Sequence, residues 1–357
     1  VDAAGMTLQI ALDAMGGDHG PEELVYGAVQ AVQESDVGVT LLGDEQRIRA
    51  ALKDHDWPSA KIHVVHTSQV ISMEESPFEA VSRKRDSSIR VAFELHKQGK
   101  VDAVVSAGNS GATMAAAIKT LGRLDKISRP GIAGIFPTMK GPVVMMDVGA
   151  NVDCRPHHLL QFGIMAAAFS SLVFGIAKPR IGLLSIGEEG GKGNALVKKS
   201  HELLLNSNLN YIGNVEGRDT FLGDVDVIVC DGFVGNVSLK LSEGLAEAVL
   251  AMLREEISKT FKAKLGYLLA HQAFRNFRER VDYAEYGGAP LLGFKGTGII
   301  CHGRSNAMAI KNAIRVAGEL VRRNVNERIM QMLQESDLAA MVSQDGLPGM
   351  VVAKGPA

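Results

Sequence analysis

Five times along the chain, a short apolar run of strand length ends in a loop of Gly, Asp, Asn and Ser that leads into residues at helical spacing. A chain that alternates buried strand and helix in this way builds a largely parallel sheet covered by helices, because parallel neighbours need crossover connections. In such sheets ligands bind beyond the carboxyl ends of the strands. The clearest junction is VDAVVSAGNSGATMAAAIKTLGR, Val101 to Arg123, where Val101, Ala103, Val104 and Val105 give way to Met114, Ala117, Ile118 and Leu121. Gly108, Asn109, Ser110 and Gly111 lie between, with Thr113 in the first helical turn. Glycines there let backbone approach a ligand, and N–H groups at a helix start favour an anion such as phosphate. A tight turn with a capped helix is the alternative. One helix end contributes only about 0.3–1 kcal/mol, so several loops must converge to make a site.

The other four junctions follow the same plan. The strand Thr7–Asp13 leads into Ala14-Met15-Gly16-Gly17-Asp18-His19-Gly20, with Pro21 opening a helix. GPVVMMDVG leads into a loop from Asp147 to Asp153 that includes Asn151, and RIGLLSIG, containing Ser185, leads into Glu188-Glu189-Gly190-Gly191-Lys192-Gly193-Asn194. VDVIVCDG leads into Asp231-Gly232-Phe233-Val234-Gly235-Asn236. All five ends are expected to line one crevice. Elsewhere the pattern predicts strands at Val37–Gly43, Lys61–Thr67 and Tyr211–Glu216, and a hairpin turn at Met139-Lys140-Gly141. Single long helices are expected from Ser76 to about Gln98 and from Ser305 to about Leu333. The first carries the cluster Arg83, Lys84, Arg85 and Asp86, either a solvated face or a substrate-facing one. The whole reads as one α/β catalytic unit over residues 6–335, with a helical excursion at 237–286 and a loosely ordered tail at 336–357.

Composition narrows the function. At 357 residues and 46% hydrophobic content the chain buries a large core and is not disordered. Its 38 Lys and Arg against 40 Asp and Glu leave no footprint for nucleic acid over the whole molecule. Cys154, Cys230 and Cys301 stand far apart, which argues against a disulfide framework or a zinc site and favours a reducing cytoplasm. No signal peptide is legible. Leu159 to Ala177 imitates a membrane span, but its Ala, Gly and Ser content and marginal length favour a buried helix.

The excursion breaks the rhythm with two amphipathic runs, roughly Val237–Lys262 and Leu268–Ala284. They meet at a turn exposing Phe261, Leu265, Tyr267, Leu268 and Leu269. Seven Lys and Arg against three Glu between Arg254 and Arg280 make it locally basic. It is either a helical hairpin packed into a dimer or a surface for an acidic partner or an anionic bilayer.

No GxGxxG, GxxxxGK[ST] or GxSxG motif occurs at these junctions, so dinucleotide, P-loop and serine-hydrolase readings lose their anchor. Asp13, Asp18, Asp147, Asp153 and Asp231 could collect Mg²⁺ or cap helices and orient neighbours; the second reading is preferred, with neither metal nor cofactor expected. Cys154, near a helix start, could be an acylated nucleophile or a buried structural thiol, the second preferred. Lys192 is the lone lysine in the five loops, and Asn236 an uncharged donor.

Taken together, DAMGGDHGP, SAGNSGATMAAA, DVGANVDC, LLSIGEEGGKGN, VEGRD, DGFVGNV, GGAPLLG and CHGRSNA closely resemble the bacterial phosphate acyltransferases of phospholipid synthesis, in the right order from about Thr7 to Leu333. The resemblance implies a three-layer α/β/α fold like that of isocitrate and isopropylmalate dehydrogenases and phosphotransacetylases. It also implies transfer of a fatty acyl group from acyl carrier protein to inorganic phosphate, a homodimer, and peripheral attachment to the inner face of the membrane beside a downstream membrane acyltransferase. Phosphate attack on a thioester needs an anion cradle, a cation and oxyanion donors. Lys192 and Asn236 are assigned the catalytic roles. Substrate and phosphate contacts are assigned to Gly16, Gly17, Asp18, Asn109, Ser110, Gly111, Thr113, Asn151, Ser185, Glu188, Asn194 and Asp231, and membrane or partner contact to Phe261, Leu265 and Leu268. Two rivals are a metal-dependent NAD(P) 2-hydroxy-acid dehydrogenase of related fold and a non-catalytic carrier-protein or membrane-binding scaffold.

Overall fold

The strand and helix alternation closes into one eleven-stranded sheet in a computed structural model that describes residues 7–18, 20–281 and 287–336, with no side-chain detail for 278–281. The first five residues and the tail beyond Ser336 lie outside the described residues. In chain order the first half is β1 (Leu8–Asp13), α1 (Pro21–Glu34), β2 (Val37–Gly43), α2 (Glu45–Leu52), β3 (Ile62–His66), α3 (Pro77–Arg83), α4 (Ser88–Lys97), β4 (Ala103–Ser106) and α5 (Ser110–Thr120). The second is β5 (Gly131–Pro137), β6 (Pro142–Met146), α6 (Pro156–Val173), β7 (Ile181–Leu184), α7 (Ala195–Leu205), β8 (Tyr211–Val215), a 3₁₀ turn at Gly217–Phe221 and β9 (Val227–Val229). Then come α8 (Gly232–Lys259), α9 (Phe261–Leu269), α10 (His271–Val281), β10 (Ala289–Leu292), β11 (Gly298–Ile300), α11 (Ala307–Arg322) and α12 (Val325–Glu335).

Strand order is β3-β2-β1-β4-β11-β10-β5-β6-β9-β7-β8. The pairings from β3 to β11 and from β6 to β8 are parallel, while β11–β10, β10–β5 and β5–β6 are antiparallel. Three successive reversals mean that β6, β7, β8 and β9 run opposite to β1, β2 and β4. The sheet is largely parallel within each half and inverted between them.

Both faces are covered. Ile10, Leu12, Val39 and Val105 pack with α1, α6, α11 and α12 on one side, while Ala11, Leu42, Val104 and Phe136 pack with α3, α4, α5 and Leu239 of α8 on the other. The apolar run that imitates a membrane span is α6, buried from His157 to Ser170. No described helix is long and apolar enough to cross a membrane.

Three expected elements differ. The helix from Ser76 breaks at residues 84–87, where Lys84 reaches Val70 O and Glu75 (2.7 and 2.6 Å) and Asp86 accepts from the Ser68 hydroxyl and amide. Those contacts pin the preceding loop, so Lys84 and Asp86 serve structure. The last long helix divides at Asn324, which holds a left-handed conformation with φ 50° that a continuous helix excludes. The tip of the excursion is itself a helix, α9, because Thr260 caps it by accepting from the Ala263 amide at 3.1 Å.

Candidate active site

The inversion divides the five expected strand ends into two groups. Ends of β1 and β4 lie at one edge of the sheet, and ends of β6, β7 and β9 at the other, so within one chain they do not line a single crevice. α8 spans the gap. It starts against the second group and reaches the first where Glu247 pairs with Arg304 at 3.2 Å, eleven residues or about 16 Å of helix beyond Asn236.

At the first edge, Asp13 is buried and accepts from the Ser106 hydroxyl at 2.9 Å and from the Met15 and Gly16 amides at 3.2 Å each. Burial raises its carboxyl above the ordinary carboxylate range despite those donors. Gly16 and Gly108 touch backbone to backbone; a Cβ on Gly16 would lie 2.8 Å from Gly108 Cα. Gly17, at φ 99°, packs under the Gly303 carbonyl, which also accepts from the Asp18 amide at 2.7 Å. Asn109 caps α5 through Ala112 N (2.9 Å), and its amide donates to Met73 O at 3.0 Å. Thr113 is buried with its hydroxyl on Asn109 O (3.0 Å), and Gly111 lacks a Cβ because Pro77 sits there. The side chains of Asn109 and Thr113 are thus engaged in holding the loop. What they leave for an anion is the pair of amides from Ser110 and Gly111 at the start of α5.

At the second edge, Asp147 plays the part of Asp13. Fully buried, it accepts from the amides of Ile132 (3.0 Å), Ala150 (3.1 Å) and Asn151 (2.7 Å) and from Asn151 Nδ2 (2.9 Å), and burial again pushes its carboxyl up. Asn151 is a brace: its Nδ2 also donates to Pro130 O at 2.8 Å, and its carbonyl accepts from Gly232 N at 2.8 Å. Asp231 caps α8 by accepting from the Phe233 and Val234 amides, both at 3.0 Å, and Asn194 caps α7 through Val197 N at 2.9 Å. Glu188 pairs with Arg218 at 3.3 Å.

Three polar groups there have no protein partner among the described residues. Lys192 is exposed in the loop after β7 with no carboxylate in ion-pair range; Asn236 is half-buried on the second turn of α8 with no side-chain hydrogen bond; the Ser185 hydroxyl is buried without one. Gly149, at φ 137°, makes room for Asn236, whose side-chain atoms lie 3.5–3.6 Å from where a Cβ would stand. Cys154 gives its Sγ–H to Asn151 O at 3.3 Å, and its thiol is pushed up to about 12 by burial first and the Asp147 charge second. It is a neutral thiol at physiological pH, hence a poor nucleophile. No group of three described His, Cys, Asp or Glu is arranged to hold a metal ion. The organising roles of Ser106 and Gly303 were not legible in the sequence, because each acts through a loop distant along the chain.

A layered α/β enzyme with unpartnered donors at strand ends is what this architecture defines, and comparison gives the family. Residues 8–328 match the model of a family described as "Fatty acid synthesis protein". The chain is 53% identical over 340 residues to a phosphate acyltransferase of Geobacter sulfurreducens (95% of this chain, 98% of the relative). It is 56% identical over 329 residues to one of Geotalea uraniireducens (92% and 95%). A solved phosphotransacetylase from Streptococcus pyogenes shares the fold at TM-score 0.61 and 18% identity, over 88% of this chain and 94% of that one. The chain belongs to the phosphate acyltransferase family of fatty acid synthesis enzymes.

Proposed function

We propose that this enzyme moves a fatty acyl group from acyl carrier protein to inorganic phosphate by direct attack, with Lys192 and Asn236 as the catalytic groups. What carries the reading is the contrast at the second edge. Asp147, Asn151, Asp231 and Asn194 are engaged in holding loops, while Ser185, Lys192 and Asn236 have hydrogen-bonding capacity left unfilled among the described residues. A phosphate oxygen forms the new bond to the carbonyl carbon, the C–S bond breaks, and the electron pair leaves on the carrier's thiolate. Lys192 offsets the charge of the nucleophile, and Asn236 donates to the oxyanion on the thioester carbonyl. Little acid–base help is needed, since phosphate is already anionic and a thiolate leaves readily. The raised Cys154 thiol supports a route without an acyl-enzyme. At the other edge, the Ser110 and Gly111 amides beside Gly16, Gly17 and Asp18 are read as a second anion contact.

An unpartnered apolar stripe on α8 (Val237, Leu241, Leu245, Val249, Met252) supports a homodimer. Phe261, Leu268 and Leu269, exposed at 80, 65 and 81% beside Lys259, Lys262 and Lys264, support docking of α9 on an anionic membrane at the inner face of the cell, where a membrane acyltransferase takes the product. The test is to incubate the protein with palmitoyl-acyl carrier protein and phosphate and trap acyl phosphate as its hydroxamate. Hydroxamate that requires both substrates supports the assignment; thioester left intact overturns it in favour of a non-catalytic carrier-binding scaffold.

A further inference from the structure

Lys192 stands on the Gly-rich loop between β7 and α7, and an exposed lysine on such a loop serves a reaction only where its backbone is fixed. The fixing begins with an irregularity in β8, the outermost strand. Ile181 of β7 pairs with Tyr211, and the next residue, Gly182, pairs with Gly213, so the exposed Ile212 is one residue too many. In a regular strand, residues three apart point to opposite faces. The bulge at Ile212, with Gly213 at φ 112°, turns Tyr211 and Asn214 to the same side, where the Tyr211 hydroxyl stands 3.4 Å from Asn214 Oδ1. Asn214 is buried, and its Nδ2 donates to the Glu189 carbonyl at 3.0 Å. That carbonyl also accepts from the Lys192 amide at 2.9 Å, which closes a turn over residues 189–192. His201 of α7 supports the same loop. Its Nδ1 lies 2.6 Å from the Tyr211 hydroxyl and its ring meets the phenol edge-on at 5.5 Å, while Nε2 lies 2.7 Å from where a Cβ on Gly190 would stand. The lysine stem is placed as well: a Cβ on Gly187 would lie 3.0 Å from Lys192 Cγ and 3.5 Å from Cδ.

From this geometry we infer that Asn214 is a positioning residue for Lys192, with Tyr211 and His201 holding Asn214 and the loop in turn. The inference rests on the catalytic assignment of Lys192. None of the three touches a reacting atom in this scheme. They set where the lysine backbone stands, and a misplacement of about 1 Å costs on the order of 10²-fold in rate. The links are graded. The bond from Asn214 to Glu189 is of ordinary length and buried at its donor, so its loss frees the turn outright. The contact from Tyr211 to Asn214 is long, so its loss lets Asn214 turn without removing the donor. Burial pushes the Tyr211 phenol up, and it keeps its proton at neutral pH.

The experiment is a double-mutant cycle on kcat, read at a temperature where every variant is folded. Asn214→Ala should lower kcat about 10–10²-fold in the wild-type chain. In a Lys192→Ala chain it should cost less than about twofold, because the group it positions is already gone. Tyr211→Phe should show the same dependence on Lys192 with a smaller loss. Gly187→Ala keeps every hydrogen bond of the brace and crowds the lysine stem; it too should lower kcat only where Lys192 is present. Should Asn214→Ala fail to fold, Tyr211→Phe and Gly187→Ala carry the cycle. Equal losses in both backgrounds mean a structural role alone and overturn the inference, as does an unchanged kcat. Hydrogen exchange reads the brace without activity: the Lys192 amide should exchange about tenfold faster in Asn214→Ala, and an unchanged rate overturns the inference. If Lys192→Ala is as active as wild type, the catalytic reading of Lys192 fails separately, and the exchange rates decide the brace.

Discussion

Replacing Lys192 by alanine should separate activity from stability, because the side chain is exposed and contacts no carboxylate among the described residues. Surface changes of that kind stay within about ±0.5 kcal/mol. Loss of one group that stabilises the transition state costs about 10²–10³ in kcat, or about 2.7–4 kcal/mol. Asn236→Ala should behave alike, with half-burial adding only a modest stability change. Asn151→Ala is the contrasting control. It deletes the buried bonds to Pro130 O (2.8 Å) and Asp147 Oδ2 (2.9 Å), leaving two buried acceptors short of a donor at about 1–3 kcal/mol each. Its midpoint of thermal unfolding should fall by several degrees while Lys192→Ala holds the wild-type value. The assays are calorimetric unfolding and hydroxamate trapping of product. A folded Lys192→Ala with more than a tenth of wild-type activity, or one that loses as much stability as Asn151→Ala, refutes the assignment.

Cys154→Ala should retain activity, and initial-rate patterns should be sequential rather than ping-pong; a trapped protein-bound acyl group would count against direct attack. Leu265→Glu/Leu268→Glu should stop flotation with anionic liposomes, where each nearby basic residue contributes about 1 kcal/mol, while turnover of soluble substrate persists; undiminished flotation removes α9 as the anchor. His158, buried at the start of α6 with Nδ1 accepting the Arg155 amide at 3.0 Å, is lowered to about 4 by burial first and its basic neighbours second. The unfolded chain then binds more protons between pH 6.5 and 4, so stability is full above that window and falls through it, by about 2 kcal/mol from pH 7 to 5. His158→Gln, a residue also suited to a capping box, should flatten that share of the pH profile; an unchanged slope rules out His158 as its source.

Strand positions were legible to within a residue or two at β1, β2 and β3, where an apolar run stands between turn residues. Strand direction was not. The hairpin at Met139-Lys140-Gly141 was readable, but its consequence depends on where β10 and β11 insert, and these come from the far end of the chain. Asn109 shows the same limit on a smaller scale: the carbonyl it meets at Met73 is 36 residues away, so a residue type suited to a phosphate cradle is also suited to stitching loops. The second edge was easier to read. Lys192 and Asn236 stand out by chemical type, and the structure adds that their neighbours are already engaged. The breaks at residues 84–87 and Asn324 interrupt runs whose apolar spacing continues across them, so periodicity alone could not find them.

α8, an unbroken helix of 28 residues with Asn236 in its second turn, leads from the second edge to the apolar, basic tip. One residue inserted or deleted between them would turn everything beyond it by about 100° and shift it about 1.5 Å. Residues of the apolar stripe beyond the change, such as Met252, would swing out of line with Val237 and Leu241, and α9 would present a different side outward. A change of length that keeps both faces in register is therefore a step near seven residues, two whole turns, and each such step would move α9 by about 10 Å along the helix axis.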